Sequence, residues 1–358
     1  MTPLALHEFH AELNARFTEV SGMEVVEDYG DWLTEHAALR NSAGVLDLSF
    51  HSRLVLTGAD RVRLLNGQVT NNVKDLPVNE GCYAVLVTNK GRMQSDLNIY
   101  ILPDEILLDF EPGLRAAIQE RFGKFIIADD VQVIDAAPHY GLLSVQGPQA
   151  WTAIERIGLY FPRPEKEFRS RSIKDETLGE IYCMNQPRIG SNGFDLFAPT
   201  NSLAALAEKL VVAAKQLDGR ACGWRALETA RIEAGIPRFG VEMDEKNLAP
   251  EAGIESRAIS YTKGCYIGQE VIARIRTYGQ VAKALRGIRF DATVVAPKRG
   301  DKILHDGKEV GSITSALFSP KLGCPIALGY IRKECNQIGT TVTVNESPAQ
   351  IVWVPFQK

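Results

Sequence analysis

The sequence predicts an α+β protein in which two related α+β domains are followed by a C-terminal β-barrel or β-sandwich. A strand, a glycine turn and a helix occur around Gly58 and again around Gly147, 89 residues later. After about Gln280, short β runs separated by Gly and Pro replace the helical periodicity. We therefore expect domains at residues 1–140, 141–280 and 281–358.

The first domain alternates strands and helices, with a hairpin around Asn89-Lys90-Gly91. Its predicted strands are residues 53–56, 83–88, 93–102 and 105–110. A helix follows the first of these strands, and a second helix over residues 114–122 is predicted to end at Gly123. The second domain has a strand at 142–145, a helix ending near Gly158 and a longer helix over 203–217.

The third domain is predicted to contain only short strands. They are residues 284–290, 302–304, 309–317, 326–331, 340–344 and 351–354. Many short strands with turn residues between them bury their edges by forming a closed barrel or two packed sheets.

The composition and the charge argue against several classes of protein. Forty Lys and Arg against 44 Asp and Glu give a net charge of -4, which argues against nonspecific nucleic-acid binding by the whole molecule. No 18-residue apolar run and no signal peptide are apparent, so we expect a cytoplasmic protein without a membrane span. Separately, we expect a monomer. The six cysteines lack Cys-x-x-C spacing, so we expect reduced thiols and no metal site.

The most unusual segment is residues 263–270, Lys-Gly-Cys-Tyr-Ile-Gly-Gln-Glu. Two glycines bracket a thiol and an aromatic ring, and Lys263 and Arg274 would stabilise a thiolate at Cys265 if they fold near it. A reactive cysteine is one interpretation. A buried cysteine in a tight turn before a helix is the other.

This segment, with Arg274 four residues after its Glu, resembles the signature of YgfZ-type proteins, which are relatives of the glycine-cleavage T-proteins. The resemblance implies folate binding, maintenance of iron–sulfur enzymes and a functional role for Cys265. It extends along nearly the whole chain, through residues 44–49, 54–72, 231–237, 250–253 and 310–315. It therefore implies a ring of three T-protein-like domains around a folate cavity, with both α+β domains binding folate.

Asp96 stands where T-proteins have an acid near the folate nitrogens, and the resemblance implies the same role here. Strand alternation puts Asp96, Asn98 and Tyr100 opposite Leu97 and Ile99, so Asp96 faces either a pocket or solvent. T-proteins often have paired aspartates at this place, whereas this chain has Ser95-Asp96.

The resemblance implies further contacts with a tetrahydrofolate cofactor. Arg231 matches a folate-site arginine and suits the carboxylate of a glutamyl tail, although a charged residue on a helix surface is the alternative. Asp195 keeps an acid where T-proteins have a pterin-binding Glu in a Gly-rich turn, although an ordinary Asn-Gly hairpin explains the turn equally well. The remaining expected contacts are Tyr83, Lys263, Tyr266, Gln269 and Arg274.

Three functions are compatible with these residues. The first is a tetrahydrofolate-binding protein that uses Cys265 in the assembly or repair of iron–sulfur enzymes, with those enzymes or assembly proteins as partners. The second is a folate-dependent aminomethyltransferase with Asp96 as a catalytic residue. The third is a tRNA-modification factor that uses the six bases between residues 263 and 289, although a solvated barrel rim also explains these charges.

Overall fold

The computed structural model describes residues 1–279 and 281–357. Its α-helices are α1 (His7–Glu12), α2 (Trp32–Asn41), α3 (Arg61–Gln68), α4 (Arg115–Phe125), α5 (Ala150–Arg156), α6 (Leu203–Lys215), α7 (Trp224–Glu233), α8 (Glu255–Ala258) and α9 (Gln269–Tyr278). Its strands are β1 (Arg16–Val20), β2 (Met23–Asp28), β3 (Gly44–Asp47), β4 (Ser52–Thr57), β5 (Gly81–Val87), β6 (Met93–Ile101), β7 (Ile106–Phe110), β8 (Gln132–Asp135), β9 (Tyr140–Gln146), β10 (Ser170–Asp175), β11 (Gly179–Asn185), β12 (Gly193–Pro199), β13 (Arg220–Ala221), β14 (Lys283–Phe290), β15 (Lys302–His305), β16 (Lys308–Ser319), β17 (Cys324–Arg332), β18 (Thr341–Val344) and β19 (Ser347–Val352).

The predicted fold class is confirmed. Both strand–turn–helix units are present, since β4 leads into α3 and β9 leads into α5. The residues after β5 form the predicted tight turn, in which the Thr88 N–H donates to the Arg92 carbonyl at 2.8 Å. The barrel alternative is also confirmed for the C-terminal strands, which close in the order β14-β17-β16-β15-β18-β19.

Two predicted boundaries differ from the structure by more than two residues. Helix α4 does not end at Gly123 but continues to Phe125, because the buried Ile118 and Phe122 anchor this helix. Their burial outweighs the helix penalty of about 1 kcal/mol for a glycine. Strand β19 begins at Ser347 rather than 351, because it pairs with β18 from the Val344–Ser347 turn onward.

The described chain divides into two compact units, each made of separate segments. Unit 1 consists of Met1–Gly67, Asn71–Ala84 and Leu97–Ala230. Unit 2 consists of Gln68–Thr70, Val85–Asp96 and Arg231–Lys358, of which Gln280 and Lys358 lie outside the described residues. The domain boundaries expected after residues 140 and 280 stay a prediction.

Unit 1 is built around two mixed layers of sheet and helix. One sheet has six strands in the order β10-β11-β12-β9-β3-β13, and the five-stranded sheet has the order β5-β6-β7-β4-β8. Of β5 and β6, the residues up to Ala84 and from Leu97 onward belong to unit 1. Helices α5 and α6 cover the six-stranded sheet, where Trp151, Ile154, Leu206 and Leu210 pack with Phe194 of β12. Apolar residues three or four positions apart line one face of each helix and account for this packing.

Unit 2 contains the closed barrel and the chain that precedes it. The barrel core consists of inward-facing aliphatic and aromatic residues, among them Ile288, Phe290, Ile313 and Ile331. Phe290 and Ile313 each lie between more exposed neighbours, as expected of barrel strands with a period of two, whereas β17 is buried continuously from Cys324 to Ile331. Among the described residues, no helix combines the length and the apolar character needed to cross a membrane.

Candidate functional site

Strand β6 presents a polar face at the position predicted for folate contact. Asp96 and Asn98 are half-buried and alternate with the fully buried Ser95 and Leu97, as predicted. Tyr100 departs from this prediction, because its side chain is completely buried and its hydroxyl has no hydrogen-bond partner among the residues that the structure describes. Tyr100 packs instead between Phe168 and Phe197, with ring centroids 6.0 and 6.3 Å away.

The Cys-containing segment lies in unit 2, where Cys265 is exposed. All six cysteines fall in the described residues, and the others are buried or half-buried. Cys265 is therefore not the buried turn cysteine that the sequence left open. Exposure is one of the two conditions for a reactive thiol, the other being a stabilised thiolate.

A glycine fixes the shape of this segment. Gly268 precedes α9 with φ +83, and a Cβ there would lie 2.4 Å from the carbonyl oxygen of Thr88. Both the left-handed backbone and the close approach require glycine. Gln269, half-buried, is the first residue of α9. Gly268 therefore allows the start of α9 to pack closely against the β5–β6 turn of the same unit.

The two cations expected near the thiol make contacts of their own. Lys263 is buried, its Nζ donates to the Val69 carbonyl at 2.7 Å, and it lies 5.0 Å from the ring centroid of Tyr266. Arg274 is exposed and pairs with Glu270 at 2.8 Å. Burial raises the pKa of Tyr266 to about 12. Stabilisation of a Cys265 thiolate by Lys263 and Arg274 stays a prediction.

Other bases of the segment also have local partners. The Arg276 guanidinium stacks 4.0 Å from the Tyr261 ring centroid, and the Lys283 ammonium lies 4.5 Å from that of Tyr330. Arg286 donates to the carbonyl of Asn336 at 3.0 Å. The cationic segment thus resembles a solvated rim with internal contacts more than a continuous phosphate-binding track, so we do not propose RNA binding.

Arg231 lies in the interior of unit 2. Its Nη1 binds Glu242 Oε2 at 2.8 Å and its Nη2 donates to Ser315 Oγ at 3.3 Å. Arg231 is 4% exposed, so its ion pair with Glu242 is buried, and its hydrogen bond to Ser315 reaches the barrel strand β16. Its role toward a folate carboxylate stays a prediction.

Unit 1 contains a charged cluster that the sequence reasoning missed. Asp109 on β7 and Asp195 on β12 are fully buried, and Arg188, in the turn before β12, binds both. Its Nη2 lies 2.8 Å from Asp109 Oδ2 and 2.7 Å from Asp195 Oδ2. His51 Nδ1 and Asn98 Nδ2 complete the partners of Asp109, at 3.1 and 2.9 Å.

One signal in the sequence pointed to this cluster. Asp109 is a lone acid in the apolar strand Ile106–Phe110, and a buried carboxylate requires a cation or several donors. The identity of the cation was hidden, because Arg188 follows Asp109 by 79 residues. Tyr83, the other expected site residue of unit 1, is buried on β5 and its carbonyl accepts from Asn71 Nδ2 at 2.9 Å.

The cluster shifts the ionisation of its members. Burial opposes charge on Asp109, but Arg188, His51 and Asn98 together hold its pKa well below the usual range. Burial likewise opposes charge on Arg188, whose pKa the two carboxylates nevertheless raise. Burial raises the pKa of Asp195 against the influence of Arg188 and Ser144.

We expect Asp109→Asn to reveal a pH-dependent contribution to stability. Because the folded pKa of Asp109 lies below the unfolded value of about 3.9, its ionised form stabilises the fold above that pH, and the contribution is lost as the pH falls through the folded pKa. The stability difference between wild type and Asp109→Asn, measured by urea unfolding, should therefore shrink below a pH of about 4. The exposed Asp104→Asn is the control and should show no such trend. A difference that grows toward acid pH would contradict the assignment.

Comparison with known proteins decides the family. The GCVT N-terminal domain matches residues 6–263, and the glycine cleavage T-protein C-terminal barrel domain matches residues 283–357. The chain belongs to the glycine cleavage T-protein family. This confirms the wider resemblance drawn from the sequence motifs, whereas the YgfZ-type branch within the T-protein family stays a proposal.

Relatives of this T-protein family member match it from end to end. It is 29% identical to the aminomethyltransferase of Corynebacterium jeikeium over 94% of this chain and 90% of the relative. It is 28% identical to that of Cutibacterium acnes, over 100% and 98% of the two chains. The crystal structure of glycine cleavage system aminomethyltransferase T from Bartonella henselae superposes with a TM-score of 0.90 at 23% identity, covering 99% of this chain and 98% of that one. The last comparison shows the shared fold.

Proposed function

We propose that this chain binds a tetrahydrofolate and that Asp96 contacts it. Membership of the T-protein family supports a folate ligand. The half-buried polar face of β6 fits such a ligand, because a carboxylate that is partly shielded from water accepts strong hydrogen bonds from ring N–H groups. Tetrahydrofolate carries one-carbon groups on the ring nitrogen N5 and on the neighbouring N10, and Asp96 would orient those nitrogens.

For the use of this folate, we propose maintenance of iron–sulfur enzymes through the thiol of Cys265. The observation that carries the proposal is that Cys265 is exposed, within the segment that resembles the YgfZ-type signature. Aminomethyl transfer assigns this thiol no task. An exposed cysteine next to a glycine-fixed helix start is available to a partner protein.

Aminomethyl transfer is the second candidate, and the names of the relatives support it better than they support iron–sulfur maintenance. Relatives that span the whole chain carry the name aminomethyltransferase. Asp96 would then act as a polar catalytic residue on the folate nitrogens. The Ser95 that precedes it is fully buried, and its hydroxyl donates to the Asp96 carbonyl at 2.8 Å, so it supplies no second acid.

Folate binding is tested first, by thermal unfolding of the purified protein with tetrahydrofolate. A ligand at about 100 times its Kd stabilises the folded state by about 2.7 kcal/mol. We expect such a shift in wild type and a smaller one in Asp96→Asn. An unchanged midpoint at saturating tetrahydrofolate would contradict folate binding, and an equal shift in both proteins would remove Asp96 from the site.

The two uses of folate are then separated in a host that lacks its own YgfZ-type protein. We expect wild type to restore the activity of iron–sulfur enzymes and Cys265→Ala to fail, because only the former has the exposed thiol. Cys335→Ala, which removes a half-buried cysteine of the same unit, is the matched control and should rescue fully. Equal rescue by Cys265→Ala would make Cys265 dispensable. No rescue by soluble wild type, together with methylenetetrahydrofolate formation from an aminomethyl-lipoyl carrier, would establish aminomethyl transfer instead.

A further inference from the structure

The turn between β11 and β12, residues 186–192, carries an arginine into the interior of unit 1. Arg188 Nε donates to both oxygens of Asp195, at 3.2 and 3.0 Å, and its Nη2 donates to Asp195 Oδ2 at 2.7 Å. The same Nη2 reaches Asp109 Oδ2 at 2.8 Å. A single guanidinium therefore binds two carboxylates that have no exposed surface.

The geometry of these contacts suits one class of ligand. A guanidinium presents coplanar N–H donors on a shared carbon, and this fork matches the two oxygens of a carboxylate. An ammonium has the same charge but lacks the fork. Asp195 is fixed on β12 and Asp109 on β7, so the two acids are positioned by separate sheets of unit 1. The two sheets therefore fix the positions of Asp109 and Asp195, whereas Arg188 lies on a turn.

The turn that carries Arg188 is anchored in unit 1 by charged contacts. Among the described residues, Gln186 Oε1 and Ser191 Oγ of the same turn and the buried Tyr100 hydroxyl have no hydrogen-bond partner. The charged contacts that fix the turn inside unit 1 are the ion pairs of Arg188 with Asp109 and Asp195.

We propose that Asp109 and Asp195 form a receptor for a planar guanidinium or amidine group and that Arg188 is its internal occupant. Arg188 thereby closes the receptor to external ligands with the same N–C–N donor edge. The aminopyrimidinone ring of a folate has such an edge, so Asp195 is excluded from folate recognition in this chain. That last consequence rests on the proposed function, whereas the receptor itself does not.

Chemical rescue tests the receptor. We expect Arg188→Ala to lower the thermal midpoint, and methylguanidinium to raise it again in a saturable manner, because the added cation enters the vacated position. At about ten times its Kd it should shift the folding equilibrium of the variant about elevenfold toward the folded state. Wild type should show no saturable rise, and methylammonium should rescue neither protein.

A second variant and a refolding experiment protect the test against a loss of folding. Arg188→Ser also vacates the guanidinium position and should be rescued, as should refolding of Arg188→Ala begun in methylguanidinium. Arg63→Ala removes an exposed arginine that pairs with Asp129 at 2.6 Å, and it should not respond. Absence of rescue in both Arg188 variants, or equal rescue by methylammonium, would overturn the receptor.

A binding measurement tests the exclusion of folate. Asp195→Asn should leave the tetrahydrofolate Kd within about threefold of wild type, which is less than 1 kcal/mol of binding free energy. A loss of more than about tenfold in a folded Asp195→Asn protein would show that the ligand reaches this acid and would overturn the exclusion. If wild type itself fails to bind tetrahydrofolate, the proposed function fails, and the methylguanidinium result still decides the receptor.

Discussion

Alanine in place of Arg231 is expected to destabilise the protein by about 3–5 kcal/mol, because it leaves the Glu242 carboxylate buried without its cation. Glu242 has no exposed side-chain surface, and the pair is 2.8 Å apart. The change also removes the donor that reaches Ser315 Oγ of β16. Urea unfolding at neutral pH, followed by circular dichroism, measures the loss.

Arg274 provides a matched control for Arg231. It also pairs with a glutamate at 2.8 Å within the same unit, but its side chain is 68% exposed and that of Glu270 is 85% exposed. An exposed pair four residues apart on a helix contributes about 0.3–0.5 kcal/mol. Arg274→Ala should therefore change the free energy of unfolding by no more than that. Equal losses from Arg231→Ala and Arg274→Ala would show that burial is not what makes the Arg231 pair important.

The second large effect is expected at Gly58, which begins the turn between β4 and α3. Its φ is +96, and a Cβ there would lie 2.1 Å from the backbone carbonyl oxygen of Asp130. Gly58→Ala therefore combines left-handed strain of about 1–2 kcal/mol with overpacking of about 1–3 kcal/mol against backbone that cannot rotate away. We expect a total loss of about 2–5 kcal/mol in urea unfolding.

Gly30 separates the two causes. It has the same φ of +96, but apart from its chain neighbours no heavy atom of the described residues lies within 4 Å of the position that a Cβ would take. Gly30→Ala should therefore cost only the strain of about 1–2 kcal/mol. A loss in Gly58→Ala no larger than that in Gly30→Ala would mean that the Asp130 segment moves aside at no cost.

Local patterns were sufficient to predict most of the fold. Turn residues between two apolar runs predicted the β5–β6 hairpin, and the short strands after Gln280 predicted the barrel, since both depend on neighbours in sequence. The pairing of β3 with β9 was beyond such patterns, because it joins Gly44 to Gln146 across 102 positions. The persistence of α4 past Gly123 was also missed, because it depends on which side chains the surrounding structure buries.

In the candidate site, too, local sequence patterns could not predict the features that depend on residues distant in sequence. The periodicity of β6 predicted the half-buried face that includes Asp96, but the burial of Tyr100 comes from Phe168 and Phe197, which are distant in sequence. Spacing alone did not decide whether Cys265 is exposed. Arg188 could not be distinguished from an ordinary turn residue, because its importance comes from two acids, Asp109 on β7 and Asp195 on β12.

Unit 2 combines segments that the ribosome synthesises at widely separated times. Arg92 Nη1 donates to the carbonyl of Lys246, 154 residues later, and the Met93 N–H donates to that of Asn247. A ribosome adds about 5–20 residues per second, so Lys246 follows Arg92 by about 8–30 s. During that interval Val87, which is fully buried in the finished protein, lacks the backbone of Gly268 that lies against its side chain. The hairpin of residues 85–96 is thus a segment of the nascent chain that chaperones and proteases meet before unit 2 exists.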